Sequence, residues 1–315
     1  MKTFYKKLTE TGFPFAIYIL LIVFIGIFFV ATQGTISPSH LLNIARSSAP
    51  LGIVAMGQTI VLLTGGLDLS VGSTISMTNL VLASIMNGNN SNILPAMLIS
   101  FTLSVLIGFL NGFIITRFKM QPFLVTLAMQ IIVQGGYYLF TQGIARGSIA
   151  DNIRYLSEGW IGIMPIAFII WLAIWFILSW ILHKSVYGRK LYLTGANMQA
   201  ARLSGFHAQS IIIIAYIFCA VMAWCAGVLL SGYIGVASVD IGTDYTLNSI
   251  ASSVVGGAAF TGGIGSLEGT FPGVLIITLL TSLMTILGIP EAGKYICQGL
   301  VIAIMVAINQ ARNKN

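Results

Sequence analysis

Long apolar runs alternate along this chain with brief polar and basic stretches. A helix needs roughly 20 residues to cross about 30 Å of hydrocarbon. By that measure the runs at 14–31, 42–64, 93–116, 122–140, 160–182, 209–231, 271–289 and 295–310 predict transmembrane helices. Two further segments, 72–87 and 248–261, are shorter and rich in Gly, Ser and Asn. Counting both gives ten crossings in an all-α polytopic membrane protein, read as a single domain over 1–315. The second short segment, NSIASSVVGGAAFT, would reach only about 21 Å as a straight helix. It is therefore expected to cross as an unwound or re-entrant element sheltered by its neighbours, because irregular backbone at that depth has to line a polar cavity or be buried in protein.

Composition strengthens this picture: 57% of residues are hydrophobic, 7% are charged, and the mean hydropathy is +0.95, a balance that fits no soluble class. The net charge of +7 does not point to nucleic acid, because the cations sit in short loops between apolar runs, where they orient spans in lipid. One side collects Lys2, Lys6, Lys7, Arg117, Lys119, Lys184, Arg189, Lys190, Arg202, Arg312 and Lys314 against Glu10, Asp68 and Glu268. The other collects Arg46, Arg146, Arg154 and Lys294 against Asp151, Glu158, Asp240, Asp244 and Glu291. The positive-inside bias then puts both termini in the cytoplasm. The first apolar run follows MKTFYKK and lacks a small-residue cleavage site, so it reads as a retained helix and not as a signal peptide.

Enzymatic chemistry finds little to work with. Cys219, Cys225 and Cys297 lie in apolar runs and read as small buried hydrophobes. His40, His183 and His207 are far apart, and none has a partner at metal-ligand spacing. GIPEAGKY over 288–295 matches a phosphate loop except that Tyr295 replaces the Ser or Thr required for magnesium, and Pro290 interrupts it, so it reads as a turn. No metal, cofactor, paired carboxylates or activated nucleophile is expected.

Polar residues inside the apolar runs are the more informative group. Asp68 lies beside Gly65, Gly66, Ser70 and Gly72, at the expected cytoplasmic end of the second span. It reads either as a coupling-ion or proton site or as a cap for the next segment, accepting backbone N–H groups beside Ser70. Capping is preferred, since no further acid or histidine appears at depth. Gln58, Asn79, Asn111, Gln130, Gln134 and Asn248 can hydrogen-bond a hydroxylated solute or act as glue between helices. TGGLDLSVGS over 64–73 is echoed by TGGIGSLEGT over 261–270, a sign of internal duplication. Gly256, Gly257, Gly262 and Gly263 of the second region, like Gly65 and Gly66 of the first, let backbones approach closely.

The segment YGRKLYLTGANMQAARLSG, 187–205, is a polar, basic, helix-forming stretch in the loop 183–208. Its cations and a small-residue face of Ala196, Ala200, Ala201 and Leu203 suit a cytoplasmic docking helix.

This block, together with GQTIVLLTGGLDLSVGS over 57–73, the run from Leu247 through the second TGG, and NGFIITRFKMQPFLVTLA over 111–128, resembles the permease subunit of ribose-type ABC importers. That family also serves galactose, arabinose, xylose, inositol and autoinducer-2. The match to its central pattern falls on Tyr187, Gly188, Arg189, Gly195, Asn197, Ala200, Ala201 and Gly205. The resemblance implies that these residues form the coupling element seated on an ABC ATPase subunit with two fused nucleotide-binding domains. It further implies an extracytoplasmic solute-binding protein, a second permease copy or paralogue, and a place in the cell membrane. The implied activity is import of a small neutral polyhydroxy solute, a sugar such as ribose or a related monosaccharide, with ATP hydrolysis on the separate subunit and no cofactor on this chain. Ile264 stands where the family commonly has Arg, Thr246 where an acid is common and Glu268 where an apolar residue is usual, which leaves the solute unspecified. Autoinducer-2 or nucleoside import by the same mechanism, and a single-chain ion-coupled secondary transporter, are the alternatives.

Overall fold

Glycine placement decides how tightly the helices of this bundle pack. The computed structural model describes residues 14–32 and 37–312; Lys2, Lys6, Lys7, Glu10 and Lys314 of the charge pattern lie outside them. In chain order the helices are α1 (Phe15–Ala31), α2 (Pro38–Leu63), α3 (Val71–Met86), α4 (Ile93–Phe118), α5 (Pro122–Thr141), α6 (Asp151–Glu158), α7 (Ile166–Lys184), α8 (Val186–Ala196), α9 (Met198–Leu203), α10 (Ala208–Ile234), α11 (Thr243–Val255), α12 (Leu267–Ile286) and α13 (Glu291–Arg312). Among the described residues six helices are long and apolar enough to cross a membrane, namely α2, α4, α5, α7, α10 and α12, and α1 and α3 are shorter apolar helices.

Helices α2 and α10 form the centre. Pro38 opens α2 behind Ser37, whose hydroxyl accepts the His40 N–H at 3.3 Å, a favoured start for a helix. Along α4, Gly108 and Gly112 form a G-x-x-x-G pair against α10: a Cβ at Gly108 would lie 2.6 Å from the Tyr216 carbonyl, and one at Gly112 would lie 2.6 Å from the Ile213 Cα. Gly269 and Gly273 let α12 approach α11 in the same way, at the carbonyls of Gly256 and Ser252. In lipid, where apolar contact alone does not favour helix over solvent, such close approach is what holds helices together. Polar pairs add to it, as where Thr59 Oγ1 on α2 meets Ser253 Oγ on α11 at 3.0 Å and Thr270 Oγ1 on α12 at 2.7 Å.

Three expectations need correction. The span predicted at 160–182 begins at Ile166, because Trp160–Ile161 (β1) and Met164–Pro165 (β2) form a small antiparallel hairpin that turns at Gly162, φ +60°. The segment 248–261 is not unwound through its length: α11 starts at Thr243, and the irregular parts are the approach at 236–242 and the turn after Gly256. Asp68 is not the N-cap of α3, a position that Ser70 takes. It is buried inside the bundle, because the chain climbs back from Thr64 as non-helical backbone before α3 starts.

This climb explains why α3 needs only 16 residues. Tyr216 of α10 donates to the Leu67 carbonyl (3.3 Å), and Gly227 of α10 packs against Thr78, so α3 begins about midway along α10. There Gly72 meets Gly242: a Cβ on either residue would fall against the other's carbonyl. The two short helices thus start side by side and run apart, α3 toward the turn at Asn87 and Gly88 beside Ser148, α11 toward Leu62 and Leu69.

Candidate functional site

At the end of the bundle carrying Lys119, Lys184, Arg189, Lys190 and Arg202, three Gly-rich segments converge. The Gly263 N–H donates to the Leu63 carbonyl at 2.9 Å. A Cβ at Gly262 would lie 2.8 Å from the Gly65 nitrogen and 2.9 Å from the Gly195 carbonyl, and one at Gly195 would strike the Leu63 carbonyl. The two TGG loops therefore touch each other and the end of α8, with no room for a side chain between them. Tyr192 of α8 donates to the Gly265 carbonyl at 2.9 Å. Burial, with Glu268 nearby, pushes its phenol up to about 12, so it remains a neutral donor throughout the physiological range. Glu268 of α12 sits within 3.6 Å of His183 Nδ1, and Trp175 donates to the Leu267 carbonyl at 3.1 Å.

Each matched residue of the 187–205 block has a local physical task. Ser185 caps α8 by accepting the Gly188 N–H at 3.0 Å, and Gly188 lies so close to the Leu182 carbonyl that the sharp bend from α7 admits no Cβ. The Arg189 guanidinium donates to the Lys184 carbonyl at 3.3 Å across the same bend. Tyr187 is partly buried against Phe218, and burial raises its phenol. Asn197 breaks α8 from α9 and caps the latter, accepting from Gln199 N (2.9 Å) and Ala200 N (3.0 Å). Gly205 closes α9 in the left-handed region at φ +80°. The four residues Ala196, Ala200, Ala201 and Leu203 do not form one face: Ala201 is buried, Ala200 is partly buried, and Leu203 projects outward, 89% exposed. A six-residue helix carries residues two apart to nearly opposite sides.

Behind the junction the first broken loop is held from several sides. Asp68 Oδ1 accepts the Ser70 N–H (2.9 Å) and hydroxyl (2.6 Å), and Asn111 donates to that hydroxyl at 2.9 Å. Oriented to satisfy both partners, the Gln58 amide donates to the Asp68 carbonyl (3.1 Å) and accepts the Asp68 N–H (3.2 Å). Asp68 thus fastens a turn two residues before the helix start; Ser70, not Asp68, occupies the N-cap position.

The polar candidates divide into two groups. Asn79 is fully buried and spent inside the fold, donating to Ser231 Oγ and the Val236 carbonyl and accepting the Ser238 N–H at 2.7 Å. Asn111 and Gln58 are likewise internal. Gln130 and Gln134 are only partly buried, one turn apart on the flank of α5 that also carries Leu127, which packs against the cluster of Ile250 and Val254 on α11. Asn248 on α11 is also partly buried, and its Oδ1 has no protein partner. Sequence reasoning missed Thr59, Tyr192, Trp175 and the Gly108/Gly112 pair. Only the last had a legible signal, its four-residue spacing.

A bundle of apolar helices in which two short helices start side by side, with a polar helix pair fitted to Gly-rich loops at one end, is the architecture of a membrane-embedded protein built like a transport subunit. Comparison with known proteins specifies the family. Residues 40–306 match the family of the branched-chain amino acid transport system, permease component. The chain is 33% identical over 294 residues to the ribose import permease protein RbsC of Escherichia coli K12, covering 90% of this chain and 91% of that one. It is 30% identical to RbsC of Bacillus subtilis 168, over 95% of this chain and 92% of that one. To the galactose/methyl galactoside import permease MglC of Haemophilus influenzae it is 29% identical, over 94% of each chain. No solved structure matches. The chain belongs to this family as a permease of the ribose- and galactose-type ABC importers, a multi-pass protein of the cell membrane.

Proposed function

We propose that this permease forms the translocation path of an ATP-driven importer for a small neutral polyhydroxy solute, a monosaccharide such as ribose or a close relative. In this reading 1–315 is one domain of ten crossings with both termini cytoplasmic. A second copy or a paralogue completes the path, an extracytoplasmic binding protein delivers the solute, and two fused nucleotide-binding domains on another chain seat on α8 and α9. The observation that carries the reading is the junction: the exposed tip of α9 continues through the Asn197 cap from α8, whose Gly195 and Tyr192 meet both TGG loops. In this reading a push on the tip passes through α8 to the loop that precedes α3 and to the loop that follows α11.

The permease itself needs no bond chemistry. Its task is to keep inward- and outward-facing packings close in free energy, so that ATP-driven closure at α9 shifts which is populated. In this reading the partly buried Gln130, Gln134 and Asn248 meet solute hydroxyls, which need hydrogen-bond partners and no counter-ion. An ion-coupled mechanism would have to use Asp68, whose Oδ1 is bound to Ser70 and whose Oδ2 has no protein partner, without a second acid or histidine at depth.

The test uses Leu203→Asp and Gln199→Trp in the assembled importer. Both side chains are exposed on α9, so the permease is expected to fold. Uptake and solute-stimulated ATP hydrolysis are expected to fall together. Unchanged coupling in both variants would remove α9 from the docking role.

A further inference from the structure

Beside the junction lies a cavity of about 410 Å³ bounded by the first TGG loop, the turn between α4 and α5, α9 and the start of α10. Its size falls within the roughly 300–1,000 Å³ of small-ligand sites. Lys119 and Arg202 line it, together with the apolar side chains of Ile115, Met120, Met198 and Ile212. Neither cation forms an ion pair among the described residues, and Arg202 reaches only the Met198 sulfur at 3.7 Å. Lys119 holds φ +54° at the C-terminus of α4, a conformation that a glycine or asparagine would adopt at lower cost. The neighbouring surface is apolar: Phe118, Met120, Phe123 and Leu124 are all exposed, as befits residues in contact with lipid. The cavity thus combines unpaired positive charge with an apolar lining, beside a surface suited to acyl chains.

We propose that this cavity holds the headgroup phosphate of an anionic phospholipid of the cytoplasmic leaflet, with its glycerol and upper acyl chain against Ile115, Met120 and Ile212. Basic pockets between helices on that side of a membrane suit such headgroups. Because Met198 and Arg202 belong to α9, an occupied cavity ties the docking helix to the α4–α5 turn and stiffens the tip that a motor must grip. The leaflet follows from the sidedness given under Proposed function, but lipid binding can be measured on the permease alone, whether or not an ATPase docks.

The test is retention of phosphatidylglycerol by the full-length permease, purified from mixed phosphatidylglycerol and phosphatidylcholine nanodiscs and read by native mass spectrometry. A phosphatidylglycerol adduct is expected on the unmodified chain and should persist in excess inorganic phosphate. K119Q/R202Q should weaken retention about 25-fold, roughly five-fold per cation, while K119R/R202K should keep it. Equal retention by the glutamine pair overturns the site. Displacement by inorganic phosphate assigns it to a soluble anion and overturns the lipid. A photo-crosslinker at position 119 that captures the ATPase chain in the assembled importer, with no lipid adduct, overturns it in favour of a protein contact.

Discussion

The two short helices that start side by side, α3 and α11, differ in how far their polar groups are tied into the fold. On the α3 side, Asp68, Ser70, Asn111, Gln58 and Asn79 each make at least one hydrogen bond to a named protein partner, and Asp68 Oδ2 and Asn111 Oδ1 are the atoms left without one. Along α11, Thr246 Oγ1, Asn248 Oδ1 and Ser252 Oγ have no protein partner. A buried polar atom without a partner costs on the order of 1–3 kcal/mol, so a fold keeps such atoms where they serve something else. Helix α3 is thus built as a fixed support, and α11 as a face whose bonds are left to be made by solute or by an alternative packing. Substitutions should separate the two sides.

The largest loss is expected at Gln58→Leu, which keeps the volume but strips partners from both the N–H and the carbonyl of Asp68. Two orphaned backbone groups in a lipid-embedded bundle cost ~2–5 kcal/mol. The thermal unfolding midpoint of the purified permease should fall sharply, and a midpoint unmoved would show that the α3 loop is not the fixed element.

Gly195→Ala comes next, at ~1–3 kcal/mol, because its Cβ strikes the Leu63 carbonyl and the loops must separate. Uptake should suffer more than stability, since the junction connects the docking tip to both broken helices. A variant that transports normally would remove Gly195 from that connection. Asp68→Asn should cost only about 1 kcal/mol, because an amide oxygen can still accept from Ser70. ATP-driven uptake should survive in proteoliposomes, whereas abolished uptake with normal folding would revive an ion-coupled mechanism.

How far these features could be read in advance depended on their range. The long apolar runs, the Gly–Gly loops and the 187–205 block are local patterns, and the helices, close approaches and caps follow them closely. The burial of Asp68 was not legible, because hydropathy registers the end of an apolar run and not a chain that turns back into the bundle. The extent of α11 was missed for a related reason: its first turns, Thr243 to Leu247, look like loop until Gly72 and Gly242 are seen packed together. The division of Asn79 and Asn111 from Gln130, Gln134 and Asn248 depends on partners more than a hundred residues away for Asn79 and about forty for Asn111, which no local pattern encodes.

The smallest change in stability, and the most decisive for the comparison, is expected at Asn248→Ala. This side chain is partly buried and accepts nothing from the protein through Oδ1, so truncation removes an unsatisfied atom and should leave stability unchanged or slightly raised. If α11 presents solute-binding groups, uptake should nevertheless fall, and the relative rates for monosaccharides differing at one hydroxyl should change, because a lost hydrogen bond discriminates between solutes that make it and solutes that do not. Asn79→Ala reverses the pattern, with lower stability and unaltered discrimination in whatever protein remains folded. Two asparagines in helices that start side by side would then have unrelated roles, set by whether the fold has already used their hydrogen bonds. If Asn248→Ala destabilises the permease as much as Asn79→Ala while leaving discrimination intact, α11 is support like α3, and the solute path lies elsewhere.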